Sequence, residues 1–224
     1  MDFIFMLTHK DRTVPNCLDV MAQIADLGLT HVGFKDVGVD LPTLKQLAAA
    51  IRKSGATSYV EVVSTTPETI RRSIAAAAEL GVDRVLGGQD IAFAQENFGS
   101  RNIGYYPFPG RPEGHPTKLG GSQKDIEDDC TRAMEQGCPG VDLLAYRAVE
   151  EDPLKLIRAA RRGLGPEGYL IVAGSIDSTD RIRAVADAGA DAFTIGSAIF
   201  EEGFAPGVKG VRGQCEAVVK ALGH

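Results

Sequence analysis

One joint recurs four times along this chain and constrains its fold more than any other feature of the sequence. A helix-like stretch rich in alanine or glutamate ends at a glycine, a few small or polar residues follow, and an apolar, β-rich run begins. The copies read ADLGLTHVGF, AELGVDRVLGG, MEQGCPGVDLL and ADAGADAFTIG. Glycine adopts the left-handed conformation that ends a helix, so each joint is predicted to turn a helix into the next strand. The predicted caps are Gly28, Gly81, Gly137 and Gly189.

Between these joints lie eight predicted strands separated by amphipathic helical patterns. The strands read FIFMLT, HVGFKD, SYVEVV, RVLGGQD, IGYYPF, VDLLAY, YLIVAGS and AFTIGSA. They are short and mostly apolar, as strands covered on both faces should be. Alternation with helices predicts a parallel sheet, and eight units favour a closed (β/α)8 TIM barrel over an open doubly wound sheet, which more often has about five to seven strands. We therefore predict one α/β domain over residues 1–224.

Charge and composition narrow the range of partners. The formal net charge is -6, which disfavours nucleic acid and anionic membranes. No apolar run approaches the ~20 residues that span a bilayer, and Asp2 stands where a signal peptide carries positive charge. The cysteines lie far apart without CxxC spacing: Cys17, Cys130, Cys138 and Cys215. We therefore expect reduced, packed thiols and a cytoplasmic protein.

The histidines show no spacing typical of a metal site. They are His9, His31, His115 and His224, with no HxH or HExxH motif among them. Nothing in the sequence requires a metal or a cofactor, and none is predicted. The oligomeric state is not readable from the sequence, although a homodimer is the commonest assembly for soluble enzymes.

Two charged residues on neighbouring predicted strands are the predicted catalytic pair. In a TIM barrel the reactive groups lie at the carboxyl ends of the strands. Side chains alternate along a strand, and Lys35 shares its face with Gly33, so we predict that Lys35 faces the barrel interior. Glu61 lies among valines and a tyrosine, where an ionised carboxylate needs a cation as partner. Lys35, one strand away, is the predicted cation. The alternative is a purely structural ion pair that keeps the strands in register.

Other polar residues near the predicted strand ends are interpreted as substrate ligands. His9 follows the first strand, where it is also a conceivable acid or base, or simply a loop residue. Gln89 follows a glycine pair at the end of the fourth strand, which opens space near the barrel axis. Asp142 lies in the sixth strand.

A long segment after the fifth predicted strand is interpreted as an active-site loop. Residues 107–122, PFPGRPEGHPTKLGGS, show neither helical nor strand pattern, and loops of this length in compact domains are usually functional or disordered. The cations Arg111, His115 and Lys118 suit a lid that closes over an anion, and Arg111 is predicted to contact the substrate. A solvated loop without that role is the alternative.

Two glycine-serine pairs end the last two predicted strands. Gly174 and Ser175 end the seventh strand, and Gly196 and Ser197 interrupt the end of the eighth. In TIM barrels a phosphate group commonly lies between the loops after these strands, held by backbone amides. Glycine allows the anion to approach the backbone, and serine adds a hydroxyl donor. We predict a phosphate site here; tight strand-to-helix turns are the alternative.

The segment VAGSIDSTDRIRAVADAGADAFTIGSAIF resembles the phosphate-binding half of the ribulose-phosphate-binding barrels. This group includes isomerases of histidine and tryptophan biosynthesis, N-acylmannosamine-phosphate epimerases and hexulose-phosphate synthases. The resemblance covers roughly Leu170 to Glu201 and beyond that only the general βα pattern. It implies a phosphorylated, sugar-like substrate bound by the two glycine-serine pairs.

These features predict an isomerase or epimerase that removes a proton next to a carbonyl of a phosphorylated, sugar-like substrate. Glu61 would remove the proton and Lys35 would stabilise the enolate oxygen. The first alternative is a Schiff-base aldolase or lyase that uses Lys35, although such aldolases of this group usually carry their lysine on the sixth strand, which here reads LLAYR. The second is a non-catalytic barrel that binds a phosphorylated metabolite. The histidine- and tryptophan-pathway enzymes place an acid or cysteine at the end of strand one, and Asp11 is expected to lie too far along to match.

Overall fold

Eight parallel strands form the central sheet of the computed structural model, which describes residues 1–63, 66–114 and 116–223. In chain order the strands are β1 (Asp2–Met6), β2 (Thr8–His9), β3 (Arg12–Thr13), β4 (His31–Lys35), β5 (Thr57–Glu61), β6 (Arg84–Leu86), β7 (Gly104–Tyr106), β8 (Arg111–Glu113), β9 (Lys118–Gly120), β10 (Gly140–Leu143), β11 (Tyr169–Val172) and β12 (Ala192–Ile195). All eight strands predicted from the sequence are present. Each is shorter than predicted, and β1, β5 and β10 begin one residue earlier.

The sheet curls into a barrel. Its strand order is β10, β11, β12, β1, β4, β5, β6, β7, and all neighbours in it are parallel. The amide of Asp142 in β10 donates a 3.1 Å hydrogen bond to the carbonyl of Pro107, just after β7, and brings the two edges together. The prediction of a single (β/α)8 barrel is confirmed.

Helices cover the outside of the barrel. They are α1 (Cys17–Ile24), α2 (Leu41–Lys53), α3 (Pro67–Leu80), α4 (Ile91–Phe98), α5 (Gln123–Glu135), α6 (Pro153–Leu164), α7 (Thr179–Asp187), α8 (Ser197–Phe200) and α9 (Gly210–Ala221). Most begin at a side chain that accepts a hydrogen bond from the third helical amide, which satisfies a donor left free by the helix start. These caps are Asp40, Thr66, Asp90, Ser122, Asp152 and Ser178.

The barrel interior is filled by side chains that alternate with those facing the helices. The apolar cluster inside comprises Ile4, Met6, Tyr59, Leu86, Tyr106, Ile171 and Ala192, separate from the larger core between sheet and helices. Towards the amino ends of the strands, the Arg84 guanidinium lies 5.0–5.5 Å from the ring centroids of Tyr59, Tyr106 and Tyr169. Side chains therefore pack the lower barrel, while the opposite end holds the charged residues described below.

Two hairpins depart from the predicted pattern. Residues 107–122 were expected to lack strand structure, but β8 and β9 pair in an antiparallel hairpin. The Arg111 guanidinium donates to the Glu150 carboxylate at 2.9 and 3.1 Å, which ties this hairpin to the loop before α6. His115 of the predicted lid lies outside the described residues. The second hairpin pairs β2 with β3 and reverses the chain directly after β1.

The close contact between β10 and β11 makes Gly140 intolerant of a side chain. A Cβ added to Gly140 would lie 1.8 Å from the carbonyl oxygen of Tyr169. Because backbone cannot move aside cheaply, we expect Gly140→Ala to lower the free energy of unfolding by about 1–3 kcal/mol or more, measured by urea denaturation. Gly203→Ala is the control, since its nearest neighbour would be the Ala198 carbonyl at 3.5 Å. Equal stability of the two variants would contradict this account of the contact.

The cysteines are packed in the core, as expected. All four are buried and free of disulfides: Cys17, Cys130, Cys138 and Cys215. Burial raises the pKa of the Cys138 thiol to about 11 and that of Cys130 to about 12. None of the helices in the described ranges is long and apolar enough to cross a bilayer.

Candidate active site

A cavity of about 450 Å³ opens at the carboxyl ends of the barrel strands. Its charged lining residues are Asp11, Lys35, Glu61, Arg147, Asp177, Arg181 and Glu201. Both glycine-serine pairs, Gly174-Ser175 and Gly196-Ser197, also line it. The barrel therefore brings the predicted catalytic pair and the predicted phosphate ligands, which are far apart in sequence, to one cavity.

Lys35 and Glu61 form a buried ion pair in the cavity wall. The two residues are direct partners in the register of β4 and β5, and Lys35 Nζ lies 3.1 Å from Glu61 Oε1. Only 5% of Lys35 and 6% of Glu61 is exposed. Burial alone would lower the pKa of Lys35, but the charges of Glu61 and Asp11 outweigh it and raise that pKa. Lys35 is thus held as an ammonium ion.

Asp11 joins this pair, contrary to the expectation that it lies too far along the chain. Lys10 and Asp11 have φ values of 50° and 59° and form the two-residue turn between β2 and β3. Such positive values at both positions match the twist of a two-residue hairpin, and aspartate tolerates them better than most residues. The turn folds Asp11 back over the barrel mouth, where its Oδ1 accepts a 2.8 Å hydrogen bond from Lys35 Nζ.

Arg147 is a further residue that the sequence did not indicate. It ends a short 3₁₀ turn after β10, and its two Nη groups donate to Asp11 Oδ2 and Oδ1 at 3.0 and 2.7 Å. Burial by itself would raise the pKa of Asp11, but the Arg147 hydrogen bonds and the Lys35 charge hold it well below its usual range. A continuous chain of charges therefore runs from Arg147 through Asp11 and Lys35 to Glu61.

The two glycine-serine pairs present free backbone donors. In the described ranges, the amides of Gly174, Ser175, Gly196 and Ser197 donate to no carbonyl and to no side chain. Gly174 and Ser175 take left-handed φ values of 82° and 58°. Arg181 adds a cation to the same rim, because its guanidinium donates to the Ser175 carbonyl and also to Asp177 at 3.0 Å. This rim has the donors that a phosphate group needs.

Asp142 lies in β10 and is completely buried. Among the described residues, neither of its carboxyl oxygens has a hydrogen-bond partner. Burial raises the pKa of Asp142 well above its usual value, and the Glu61 charge raises it further, while Lys35 and Arg147 oppose the shift. Burial therefore favours the neutral form of Asp142. Asp142 was predicted to bind substrate, but it does not line the cavity.

Three other predicted substrate ligands also lie outside the cavity lining. The Gln89 amide donates to the carbonyls of Phe108 and Gly110 at 3.2 and 2.8 Å, so it holds the loop after β7. Arg111, on the β8–β9 hairpin, pairs with Glu150, and about half of the Arg111 side chain is exposed. His9 Nε2 lies 2.9 Å from Glu201 Oε1, next to the cavity. Each of them has a partner within the protein.

No cluster of potential metal ligands occurs within the described ranges. Three of the four carboxylates that line the cavity are paired with cations: Asp11 with Lys35 and Arg147, Glu61 with Lys35, and Asp177 with Arg181. The fourth, Glu201, contacts His9 at 2.9 Å. The polar arrangement therefore suits organic anions and proton transfer within ion pairs.

The fold and the cavity define a single-domain (β/α)8 TIM barrel with a charged site at the carboxyl ends of its strands. Similar solved structures include native KDPGal (TM-score 0.67, 13% identity, 100% of this chain and 97% of that chain) and orotidine 5'-phosphate decarboxylase from Pyrococcus horikoshii (0.66, 14%, 99% and 99%). A mandelate oxidase variant with (S)-mandelic acid is a third (0.66, 14%, 99% and 73%). At such identities the similarity establishes the fold alone. No protein-family model and no curated protein matches the sequence.

Proposed function

We propose that the protein is an isomerase or epimerase that acts on a phosphorylated, sugar-like small molecule by proton abstraction next to a carbonyl. The observation that carries the proposal is the presence of the buried Lys35–Glu61 pair and the free amides of the glycine-serine pairs in one cavity. One protein of similar fold, the decarboxylase described above, is named for a phosphorylated small molecule, orotidine 5'-phosphate.

Each part of the cavity has a role in this reaction. The amides at Gly174 and Gly196 hold the phosphate group and so fix the position of the carbon skeleton. Glu61 removes the proton, and the ammonium group of Lys35 stabilises the negative charge that develops on the carbonyl oxygen. Asp11 supports this role of Lys35, because its carboxylate favours the charged form of the amine.

The alternative Schiff-base aldolase is less well supported. A Schiff base requires a neutral amine as nucleophile, whereas two carboxylates keep Lys35 protonated. The sixth barrel strand, β10, carries Asp142 in place of a lysine. Borohydride trapping of a substrate adduct at Lys35 would support the aldolase over the isomerase. A non-catalytic binding protein would need the glycine-serine pairs but not Lys35 or Glu61.

A ligand screen combined with hydrogen exchange tests the proposal. We expect phosphorylated sugars to stabilise the protein and their dephosphorylated partners to have no effect. A ligand at 100 times its Kd adds about 2.7 kcal/mol, or roughly 5–10 °C in Tm for a chain of this size. A stabilising ligand that is a substrate should also exchange a carbon-bound hydrogen in D₂O, observed by NMR.

Glu61→Gln separates catalysis from binding in this screen. The variant retains the shape of the side chain and should keep the thermal shift while it loses hydrogen exchange by about 10²–10⁴-fold. Stabilisation of the wild-type protein without any exchange would support the binding protein instead. Equal stabilisation by phosphorylated and dephosphorylated sugars would exclude the phosphate site.

A further inference from the structure

We propose that Arg147 is shared between the phosphate group of the ligand and Asp11, so that phosphate binding is coupled to the charges around Lys35. This inference rests on the proposed function, because it requires an anion at the glycine-serine pairs. Arg147 would then bind the phosphate group in addition to the two glycine-serine pairs.

Arg147 is placed between the two halves of the cavity. On one side both Nη groups bind the Asp11 carboxylate, which in turn binds Lys35. On the other side the guanidinium lies against the backbone of Gly174, since a Cβ added there would be 2.7 Å from Arg147 Nε. The glycine thus gives the arginine access to the same rim that carries the free amides.

The Nε–H donor of Arg147 is available to a ligand. In the described part of the chain, Nε donates no hydrogen bond, while Nη1 donates to Asp11 and, at 3.5 Å, to the Thr117 carbonyl, and Nη2 donates to Asp11. The side chain is about one-fifth exposed and lines the cavity. Guanidinium groups bind phosphate oxygens through several N–H groups at once. The Nε side of Arg147 faces Gly174, so we expect it to reach a phosphate bound there.

The pairing of charges in the cavity implies competition for Arg147. Each cation in the described cavity lining already has a carboxylate partner: Lys35 has Asp11 and Glu61, Arg147 has Asp11, and Arg181 has Asp177. A phosphate that binds Arg147 therefore shares the guanidinium with Asp11, and the two negative charges repel each other. Removal of the Asp11 charge should tighten phosphate binding, and it should do so through Arg147.

A double-mutant cycle with inorganic phosphate tests this coupling. Phosphate affinity is measured by calorimetry for the wild type, Arg147→Met, Asp11→Asn and the double variant. We expect Arg147→Met to weaken phosphate binding at least about tenfold and Asp11→Asn to tighten it about tenfold. The gain from Asp11→Asn should disappear when Arg147 is absent. Arg158→Met, which changes an exposed arginine of α6, is the control and should bind phosphate as the wild type does.

The outcomes distinguish this inference from the proposed function. If the wild type binds phosphate and Arg147→Met binds it equally well, the role of Arg147 is wrong and the proposed function stands. If the gain from Asp11→Asn persists in the double variant, the coupling does not run through Arg147. If the wild type binds neither inorganic phosphate nor any phosphorylated sugar, both proposals fail. Arg147→Lys, which keeps the charge but not the fork, should bind phosphate with intermediate affinity, and circular dichroism checks that each variant is folded.

Discussion

Lys35→Met is expected to lower kcat at least about 100-fold and to destabilise the protein by about 3–5 kcal/mol. Lys35 is almost fully buried and contacts two carboxylates, at 2.8 Å for Asp11 and 3.1 Å for Glu61. Methionine fills a similar volume but leaves Glu61 buried without its cation, which is costly in a site with little access to water. The same change removes the positive charge that would stabilise the enolate. Urea denaturation and steady-state kinetics measure the two effects.

Lys45→Met is the matched control for this prediction. Lys45 also pairs with a glutamate, Glu79, at 3.3 Å, but both side chains are largely exposed. Exposed ion pairs contribute at most about 1 kcal/mol, so we expect little change in stability and none in kcat. Turnover of Lys35→Met at the wild-type rate would remove Lys35 from the mechanism. A loss of stability no larger than that of Lys45→Met would show that the buried pair is not structurally important.

Asp142→Asn is expected to stabilise the protein increasingly as the pH rises. The pKa of Asp142 is raised in the folded state by burial and by the Glu61 charge, whereas an unfolded aspartate titrates near pH 3.9. A group with a raised folded pKa contributes its full stability below the unfolded pKa and loses it as the pH rises towards the folded pKa. Over that window the wild type loses about 1.4 kcal/mol per pH unit, which asparagine avoids because it carries no charge.

Urea denaturation at several pH values between 4 and 9 measures this difference. The stabilities of the two proteins should be closest at pH 4 and should diverge above it, until the pH exceeds the folded pKa. Asp128→Asn is the control, because Asp128 lies on the surface of α5, where Lys124, at 2.7 Å, is its one ion-pair partner among the described residues. It should change the stability by less than about 0.5 kcal/mol at each pH. A constant difference between Asp142→Asn and the wild type would show that Asp142 is not held neutral.

The barrel could be predicted because its signals are local. Each helix-to-strand joint carries its own glycine, and each strand is a short apolar run between turn residues. The hairpins were missed for the opposite reason. β8 and β9 have only three residues each, RPE and KLG, and the proline and the glycine in them are typical of a loop. The hairpin is held against the barrel by contacts such as that between Arg111 and Glu150, which lie 39 positions apart in the chain.

The candidate site was predictable where it follows from strand geometry. Lys35 and Glu61 were expected to pair because Glu61, in an apolar strand, needs a cation and Lys35 lies one strand away. The structure shows the ion pair, and the two residues are direct partners in the register of β4 and β5. In the sequence Asp11 lies well beyond the end of the first strand, but a two-residue turn reverses the chain and brings its carboxylate back to Lys35. Arg147 was overlooked because it follows its strand in a 3₁₀ turn. Its proximity to Asp11 appears only once the barrel closes.

The exclusion of all four thiols from solvent makes this chain convenient for site-specific labelling. Reagents attack the exposed thiolate, and here burial raises the pKa of each cysteine and limits access to it. A single cysteine introduced at the exposed Lys118 of β9 would therefore be the only readily reactive one in the folded protein. A fluorophore or spin label there would report on the hairpin beside the cavity during ligand binding, without prior removal of the native cysteines.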